Sequence, residues 1–331
     1  MRVIRFAAVL GSLTLAGASP CLADGITLGT LNNWVLLALN NGSLSINSAT
    51  SIVGNVGYSM NVAVPSAQKV GSFTGVADVY GGATTLNFIA KYKDATFNPT
   101  GGIRSGNTSG CPGSDPLFVC AGAAVNAALD QANADAASLK AQLIALYLAD
   151  PVTALAGNVS QNLTGSGGIN LYDVSWAYNN KTLTLTGGPD DWFVFRSSGT
   201  NSWAQSDVIL NGVSPDRVLF YFTTANAVDF KVNKSGTDFA GLVFAPDGEV
   251  EYHNPATFDG RIIAKDLTLH SKFNVEAPCG VSGKPDCEAE TIVLTDVVTE
   301  VVPEPATMAL VATGLIGLMG AGLARRRRRS S

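Results

Sequence analysis

The chain has 331 residues, of which 46% are hydrophobic and only 14% charged, and its formal net charge is −5. A charged fraction well below the roughly 25% of an average soluble domain excludes a charge-rich disordered chain and a coiled coil. Both ends are basic, and the body between them, residues 24–302, has 14 basic and 25 acidic residues, a net charge of −11. This acidic body argues against nucleic acid as a partner, because cationic contacts to phosphate dominate nucleic-acid binding.

The N-terminal segment has the pattern of a secretory signal peptide. Arg2 and Arg5 form a short basic region, and residues 6–18 are apolar or small. The tripeptide 21–23 then offers a small-residue cleavage site. Residues 1–23 are therefore predicted to be a signal peptide, with a buried N-terminal helix as the alternative.

The C-terminal segment combines three features in order. An apolar run over residues 306–324 reaches roughly 28 Å as a helix, close to the hydrocarbon thickness of a bilayer. A Val-Pro-Glu-Pro motif precedes this run, and five arginines follow it, which the positive-inside rule places on the cytoplasmic side. The motif consists of Val302, Pro303, Glu304 and Pro305, and the cluster of Arg325, Arg326, Arg327, Arg328 and Arg329.

This order of motif, spanning helix and arginine cluster over residues 303–331 resembles the PEP-CTERM sorting signal of bacterial exported proteins. The resemblance implies a precursor anchored in the inner membrane and processed by an exosortase. It further implies a mature protein at the cell surface or in an exopolysaccharide matrix. A plain single-pass anchor is the alternative, and residues 288–302 are predicted to be a linker before the signal.

Four cysteines lie in the body, an even number that is typical of disulfides in an exported chain. Three pairings are possible, and we favour the two that are local in sequence, because each brackets a turn rich in Pro and Gly. These are Cys111 with Cys120 and Cys279 with Cys287. Zinc is the alternative, but the spacings are not C-x2-C and only two histidines, His253 and His270, are present. We therefore predict neither a metal site nor a cofactor.

The body, residues 24–287, is predicted to be mainly β: an irregular three-sided β-solenoid (β-helix) with one long α-helix packed alongside. Short β-rich segments alternate with Gly and Asn turns, and the segment 239–245 recurs 19 residues later as 258–264. A period near 20 residues is the size of one coil of such a solenoid, which buries its apolar positions by stacking on its neighbours. Two sandwiched sheets are the alternative fold.

One helical pattern stands out in the body, over about residues 121–149. Apolar residues recur there at steps of three and four, which puts a single apolar stripe along the helix. Asp150-Pro151 ends it, since a residue before proline is biased away from helical geometry. The stripe consists of Val125, Leu129, Ala132, Ala136, Leu139, Leu143 and Leu146.

A second resemblance rests on short motifs between residues 206 and 264. The segments 206–212 and 218–222, the pattern Phe239-x-Gly241-x-Val243 and the segment 260–264 look like the choice-of-anchor A domains of bacterial surface proteins. They are also similar to bacterial ice-binding-like domains, which set a long helix beside an irregular β-helix. Both resemblances imply a structural or adhesive module more than an enzyme.

Aromatic residues between positions 172 and 203 form the candidate binding surface. Carbohydrate sites use exposed aromatic platforms beside polar groups, and this stretch is rich in Asp and Asn. The predicted glycan-binding residues are Tyr172, Trp176, Tyr178 and Trp203, and the alternative is that they belong to the core.

Polysaccharide lyases and hydrolases require a pair of carboxylates, or a basic residue beside a cation site, held on one face. Asp190 and Asp191 are adjacent, so on a strand they would point to opposite faces, and the preceding Gly-Gly pair is typical of a turn. We therefore predict that the protein is not an enzyme.

Ice binding requires a flat, regular face, which commonly carries ranks of Thr-x-Thr repeated once per coil. Thr182, Thr184 and Thr186 lie on one predicted strand, but no second Thr-x-Thr follows about 20 residues on. The sequence therefore predicts an exported surface or matrix protein with a structural or adhesive, non-catalytic role and surface glycans as partners. Ice binding is the alternative, and a polysaccharide-modifying β-helix enzyme is a further one.

Overall fold

The computed structural model describes residues 26–92, 97–107, 115–174, 177–198, 201–204, 206–225, 228–231, 238–253, 257–270 and 273–276. All of them belong to one compact unit, Met1–Cys287. The predicted signal peptide, linker and sorting signal lie outside the described residues, and so do Cys111, Cys279 and Cys287. In the part of the chain that is described, no helix is both long and apolar enough to cross a membrane.

The first half of the fold consists of strands and two α-helices. In chain order they are β1 (Leu36–Ile46), β2 (Ala49–Val53), β3 (Val56–Tyr58), β4 (Val70–Thr74), β5 (Ala77–Val79), α1 (Ala83–Tyr92), β6 (Ile103–Ser105), β7 (Phe118–Cys120) and α2 (Ala123–Ala149).

The second half consists of strands. They are β8 (Thr153–Leu155), β9 (Gln161–Thr164), β10 (Ile169–Val174), β11 (Ala177–Asn179), β12 (Thr182–Thr186), β13 (Trp192–Ser197), β14 (Asn201–Ala204), β15 (Asp207–Asn211), β16 (Val218–Phe222), β17 (Val228–Lys231), β18 (Asp238–His253), β19 (Thr257–Leu269) and β20 (Phe273–Glu276). Short 3-10 helices precede β1 (Gly29–Asn33) and β16 (Pro215–Arg217).

The strands stack in parallel as the coils of a β-solenoid, and their pairings fall into three faces. The helix-side face runs β7-β6-β5-β3-β1-β19-β18-β16-β13-β10-β8. The second face continues along the later parts of β1, β19 and β18 to β17, β14 and β11. The third face contains β4, β2, β20 and the starts of β19 and β18, and also the three-stranded sheet β9-β12-β15. The predicted mainly β solenoid is confirmed in this form.

The order of coils in the stack differs from their order in the chain. β1 lies between β3 and β19, so the first coil packs against the last one, with Leu36 opposite Ile262. α2 connects β7, at one end of the helix-side face, with β8, at the other. The 27-residue helix spans about 40 Å at 1.5 Å per residue, which lets it run back along the stack.

Successive side chains of the helix-side strands point alternately into the solenoid and toward α2, so their apolar residues fall into two clusters. Leu36 and Ala38 point into the solenoid interior, whereas Leu37 and Leu39 join the cluster that contains α2. All seven residues of the predicted apolar stripe are buried in that second cluster. The prediction of a helix over about 121–149 is therefore confirmed, and Asp150 ends it in extended geometry.

The expectation of a single helix in the body is wrong, because α1 forms a second one. In its coil, α1 follows β5 and precedes Pro99, which forms an isolated β-bridge with Phe73 of β4. Phe88 of α1 is completely buried and meets the Tyr58 and Phe97 rings edge-on at 4.8 and 5.6 Å. Its ten residues are too short a stretch to show a clear helical period in sequence.

Candidate functional site

The sheet β9-β12-β15 turns mostly short polar side chains outward and leucines and a valine to the interior. The outward exceptions are Ile209, which is apolar, and Asp207, which is half-buried with its Oδ1 covered. Leu183 and Leu185 are completely buried, which fixes the alternate residues of β12 on the outside. We call the outward set the hydroxyl face. It consists of Asn162, Thr164, Thr182, Thr184, Thr186, Asp207, Ile209 and Asn211.

The outward residues of the hydroxyl face lie in regular ranks. Thr184 lies opposite Asn162 and Ile209, and Thr186 lies opposite Thr164 and Asn211. Neither ladder has a register shift, whereas the β2–β20 ladder of the third face shifts between Ala49 and Ser51. The ranks therefore repeat about 4.8 Å apart across the strands and roughly 6.6 Å apart along them.

A glycine directly follows each of the three strands at the same corner of the solenoid, which lets adjacent coils turn in line with one another. Gly165, Gly187 and Gly212 follow the last outward residue of β9, β12 and β15. Gly212 has a φ of 78°, and a Cβ there would lie 2.4 Å from the carbonyl oxygen of Gly187. A tripeptide of Leu, then Thr or Asn, then Gly therefore recurs at residues 163–165, 185–187 and 210–212. This repeat is the sequence signal that could have identified the face.

Asp191 holds the neighbouring turn. Its carboxylate accepts hydrogen bonds from the backbone N–H groups of Gly188 and Gly167, each at 2.8 Å. These bonds, led by that from Gly188, keep the pKa of Asp191 below its usual value. Asp191 is 7% exposed and Asp190 is exposed, so the prediction of a turn at this Asp pair is confirmed.

The predicted glycan platform is wrong for Tyr172 and Trp203, which lie in the solenoid core. They are only 8% and 2% exposed. The Tyr172 ring stacks on that of Phe195 at 5.2 Å, and Trp203 Nε1 donates to the carbonyl oxygen of Ser206 at 2.9 Å. Large aromatic rings fill the interior of the coil, where no sugar can reach them. Tyr178 lies on β11 with its Cα opposite that of Trp203, and Trp176 lies outside the described residues.

The second face brings together acidic residues of adjacent coils. Glu249 of β18 lies opposite Asp266 of β19, and Thr268 donates a hydrogen bond to Glu249 at 3.3 Å. Burial and then repulsion from Glu251 raise the pKa of Glu249. This charged surface differs in chemistry from the hydroxyl face.

One predicted disulfide residue, Cys120, lies within the described residues, at the end of β7. It is disulfide-bonded, and its partner falls outside the described part of the chain. The pairing of Cys120 with Cys111, and that of Cys279 with Cys287, stay predictions.

Comparison with known proteins yields one family and several similar structures. A family model described as Ice-binding-like matches residues 39–273, more than two thirds of the chain. The comparison with curated proteins found no match.

Three similar solved structures are each less than 20% identical to this chain. The ice-binding protein_1 DUF3494 domain of Shewanella frigidimarina is 19% identical over 76% of this chain and 97% of that chain, with a TM-score of 0.48. The ice-binding protein of the Antarctic ascomycete Antarctomyces psychrotrophicus is 18% identical over 78% and 100%, with a TM-score of 0.47. The ice-binding protein LeIBP of an Arctic yeast is 18% identical over 78% and 96%, with a TM-score of 0.45.

Proposed function

Because the chain belongs to the Ice-binding-like family, we propose that it binds ice, and that the hydroxyl face of β9, β12 and β15 makes the contact. The observation that carries the proposal is the unshifted register of this sheet, which sets short side chains in ranks across three coils. A crystal of water presents a regular array of molecules. A protein surface that matches it must therefore repeat regularly in two directions.

The chemistry of the outward residues suits such a contact. Each threonine hydroxyl offers one donor and two acceptor positions, so it can take the place of a water molecule in either role. Thr184 and Thr186 are β-branched and have restricted χ1 angles, which lowers the entropy lost when they are held against a crystal. Their methyl groups, together with Ile209, which is 46% exposed, add apolar area between the polar groups.

Membership of this family corrects the function expected from sequence. The expectation was a structural or adhesive role in the surface matrix, and the family match to residues 39–273 favours the alternative, ice binding. The family is non-enzymatic, which agrees with the prediction that the chain is not an enzyme.

The site of action is part of the proposal. An extracellular ice-binding protein meets ice directly, and export follows from the predicted signal peptide over residues 1–23. Processing by an exosortase at the predicted signal over residues 303–331 would then release or transfer the protein. Both predictions concern residues outside the described part of the chain.

The test replaces one threonine at the centre of the hydroxyl face by a large side chain. In Thr184→Tyr, the ring stands above the ranks and holds ice away from both neighbouring strands. We expect the affinity for ice, measured by partition of the purified chain into slowly growing ice, to fall at least about tenfold, or about 1.4 kcal/mol. Thermal hysteresis should fall with it.

Ser138→Tyr provides the matched control, because Ser138 is exposed on α2, away from the hydroxyl face. It should leave ice partition unchanged, and circular dichroism should show both variants folded. Equal loss in both variants, or retained ice binding in Thr184→Tyr, would contradict the proposal for this face. No partition of the unsubstituted chain into ice would contradict ice binding itself.

A further inference from the structure

The two histidines of the chain lie side by side on the second face. His253 ends β18, and His270 directly follows β19 on the adjacent coil. Their rings stack with centroids 4.2 Å apart and planes 8° from parallel. The parallel pairing of Tyr252 with Leu269 sets this alignment between consecutive coils.

A carboxylate completes the cluster from the same strand as His253. Glu251 points to the same side of β18, two residues earlier, and its Oε2 lies 3.2 Å from His253 Nε2. One possible ligand atom from each of Glu251, His253 and His270 lies within 4.8 Å of the other two. All three residues are half-buried, so their side chains are held by the sheet but open to solvent.

Acidic positions outnumber basic ones around the cluster. Glu249 lies two residues before Glu251 and pairs with Asp266. On the adjacent strand β17, the Cα of Asp229 lies opposite that of Glu251, and the Cα of Lys231 lies opposite that of His253. A positive ion bound by the cluster would lie close to these carboxylates, and opposite charges attract.

We propose that Glu251, His253 and His270 bind one divalent transition-metal ion, of which Zn²⁺ is the probe of choice. Two imidazole nitrogens and one carboxylate oxygen are ligands that Zn²⁺ prefers, at about 2.0–2.2 Å. Ligand atoms at these distances lie about 3.3 Å apart around a tetrahedral ion. The three atoms, which lie within 4.8 Å of one another, must therefore draw closer, and the stacked rings must turn, when an ion binds. Ca²⁺ prefers oxygen ligands throughout, and the pair of imidazoles disfavours it.

The hydrogen bonding of His270 is compatible with ligation. Asn47 Nδ2 lies 3.4 Å from His270 Nδ1, at the long end of hydrogen-bond distances, so little is lost if a metal replaces it. Asn47 immediately follows β1, and the ion would therefore sit where the first and last coils meet. Metal binding would link β18 to β19 beside this junction and stabilise it.

The test measures Zn²⁺ binding to the full chain by isothermal titration calorimetry in non-reducing buffer, which keeps cysteine thiols from competing. We expect one Zn²⁺ per chain and a Tm that rises when Zn²⁺ is added, because a ligand that binds only the folded state stabilises it. His253→Gln, His270→Gln and Glu251→Gln should each weaken Zn²⁺ binding by about tenfold or more. Ca²⁺ at the same concentration should leave the Tm unchanged.

Glu249→Gln is the matched control, since it removes the same charge from the same strand outside the cluster. It should weaken Zn²⁺ binding much less than Glu251→Gln does. Absence of saturable binding to the unsubstituted chain would overturn the proposal. So would tight binding that survives both histidine substitutions, because the ion would then be held elsewhere. Neither result depends on ice binding, which the Thr184→Tyr variant tests separately.

Discussion

At the scale of single residues, Asp191 shows how one carboxylate can hold a turn beside the hydroxyl face. It is nearly buried and accepts two backbone N–H bonds, which lower its pKa in the folded protein. A group whose pKa is lowered by folding contributes stability above its unfolded pKa of about 3.9, and this contribution is lost as the pH falls through the folded value.

We therefore predict that Asp191→Asn destabilises the fold at pH 7 by about 1.5–3 kcal/mol, the range for hydrogen bonds to a charged group. The difference in unfolding free energy from the unsubstituted chain should shrink below about pH 4, where the carboxylate begins to protonate. Urea unfolding at pH 7 and at pH 3 measures both effects.

The neighbouring residue supplies the control. Asp190→Asn removes the same charge at an exposed position of the same turn, and should change stability by no more than about 0.5 kcal/mol. Equal effects of the two substitutions would show that net charge, not the two backbone hydrogen bonds, is what matters.

At the scale of elements, α2 is stabilised chiefly by one buried stripe and by polar contacts at both ends. Asn126 accepts from the backbone N–H of Gly81 at 2.8 Å near the start of the helix. Near its end, the hydroxyl of Tyr147 reaches the carbonyl oxygens of Tyr172 and Val194, each at 2.9 Å. The helix thus contacts coils from both halves of the chain.

We predict that Leu139→Ala, in the middle of the stripe, costs about 2–5 kcal/mol, because Leu139 is completely buried and the substitution leaves a cavity. Leu148→Ala is the matched control on the same helix. Leu148 is 83% exposed, so its truncation should cost almost nothing. Chemical denaturation monitored by circular dichroism tests the pair, and similar losses in both would contradict the assigned orientation of α2.

At the scale of the whole molecule, the pairing of β1 with β19 closes the stack between residues from opposite ends of the described chain. Arg261 is 3% exposed, and it donates to the carbonyl oxygen of Asn32 at 3.3 Å and forms an ion pair with Asp216. It therefore joins the segment before β1 to the segment before β16. The two halves share one interface and should unfold together.

We predict that Ile262→Ala, at this interface, speeds amide hydrogen exchange in both β1 and β16–β19, because the substituted side chain is completely buried against the first coil. Ile144→Ala on the outer side of α2, where the residue is 45% exposed, should change exchange in neither. Faster exchange confined to β19 would mean that the two halves open independently.

The candidate site was only partly predictable. The sequence places Thr182, Thr184 and Thr186 on one strand, but three of the four neighbours of Thr184 and Thr186 on the adjacent strands are not threonine, and the coils differ in length. These three are Asn162, Ile209 and Asn211. Thr184 pairs with residues 22 positions before and 25 positions after it. A search for identical motifs at a fixed step therefore misses a face that the sheet register assembles.

The sequence by itself determined what depends on near neighbours in the chain: the length and buried stripe of α2, the turn at Asp190-Asp191, and the coil period. These follow from periods of 3.6 and 2 residues and from turn chemistry, which act over a few residues. Only the tertiary structure decided that β1 packs between β3 and β19, that Tyr172 and Trp203 point inward, and that His253 meets His270. The position of β1 depends on parallel pairing between strands from opposite ends of the chain, and the inward rings depend on which side of each coil is buried. The two histidines meet because a register shift after Ala245 replaces the offset of the sequence repeat. Burial in the whole stack chooses this register, and no local pattern encodes it.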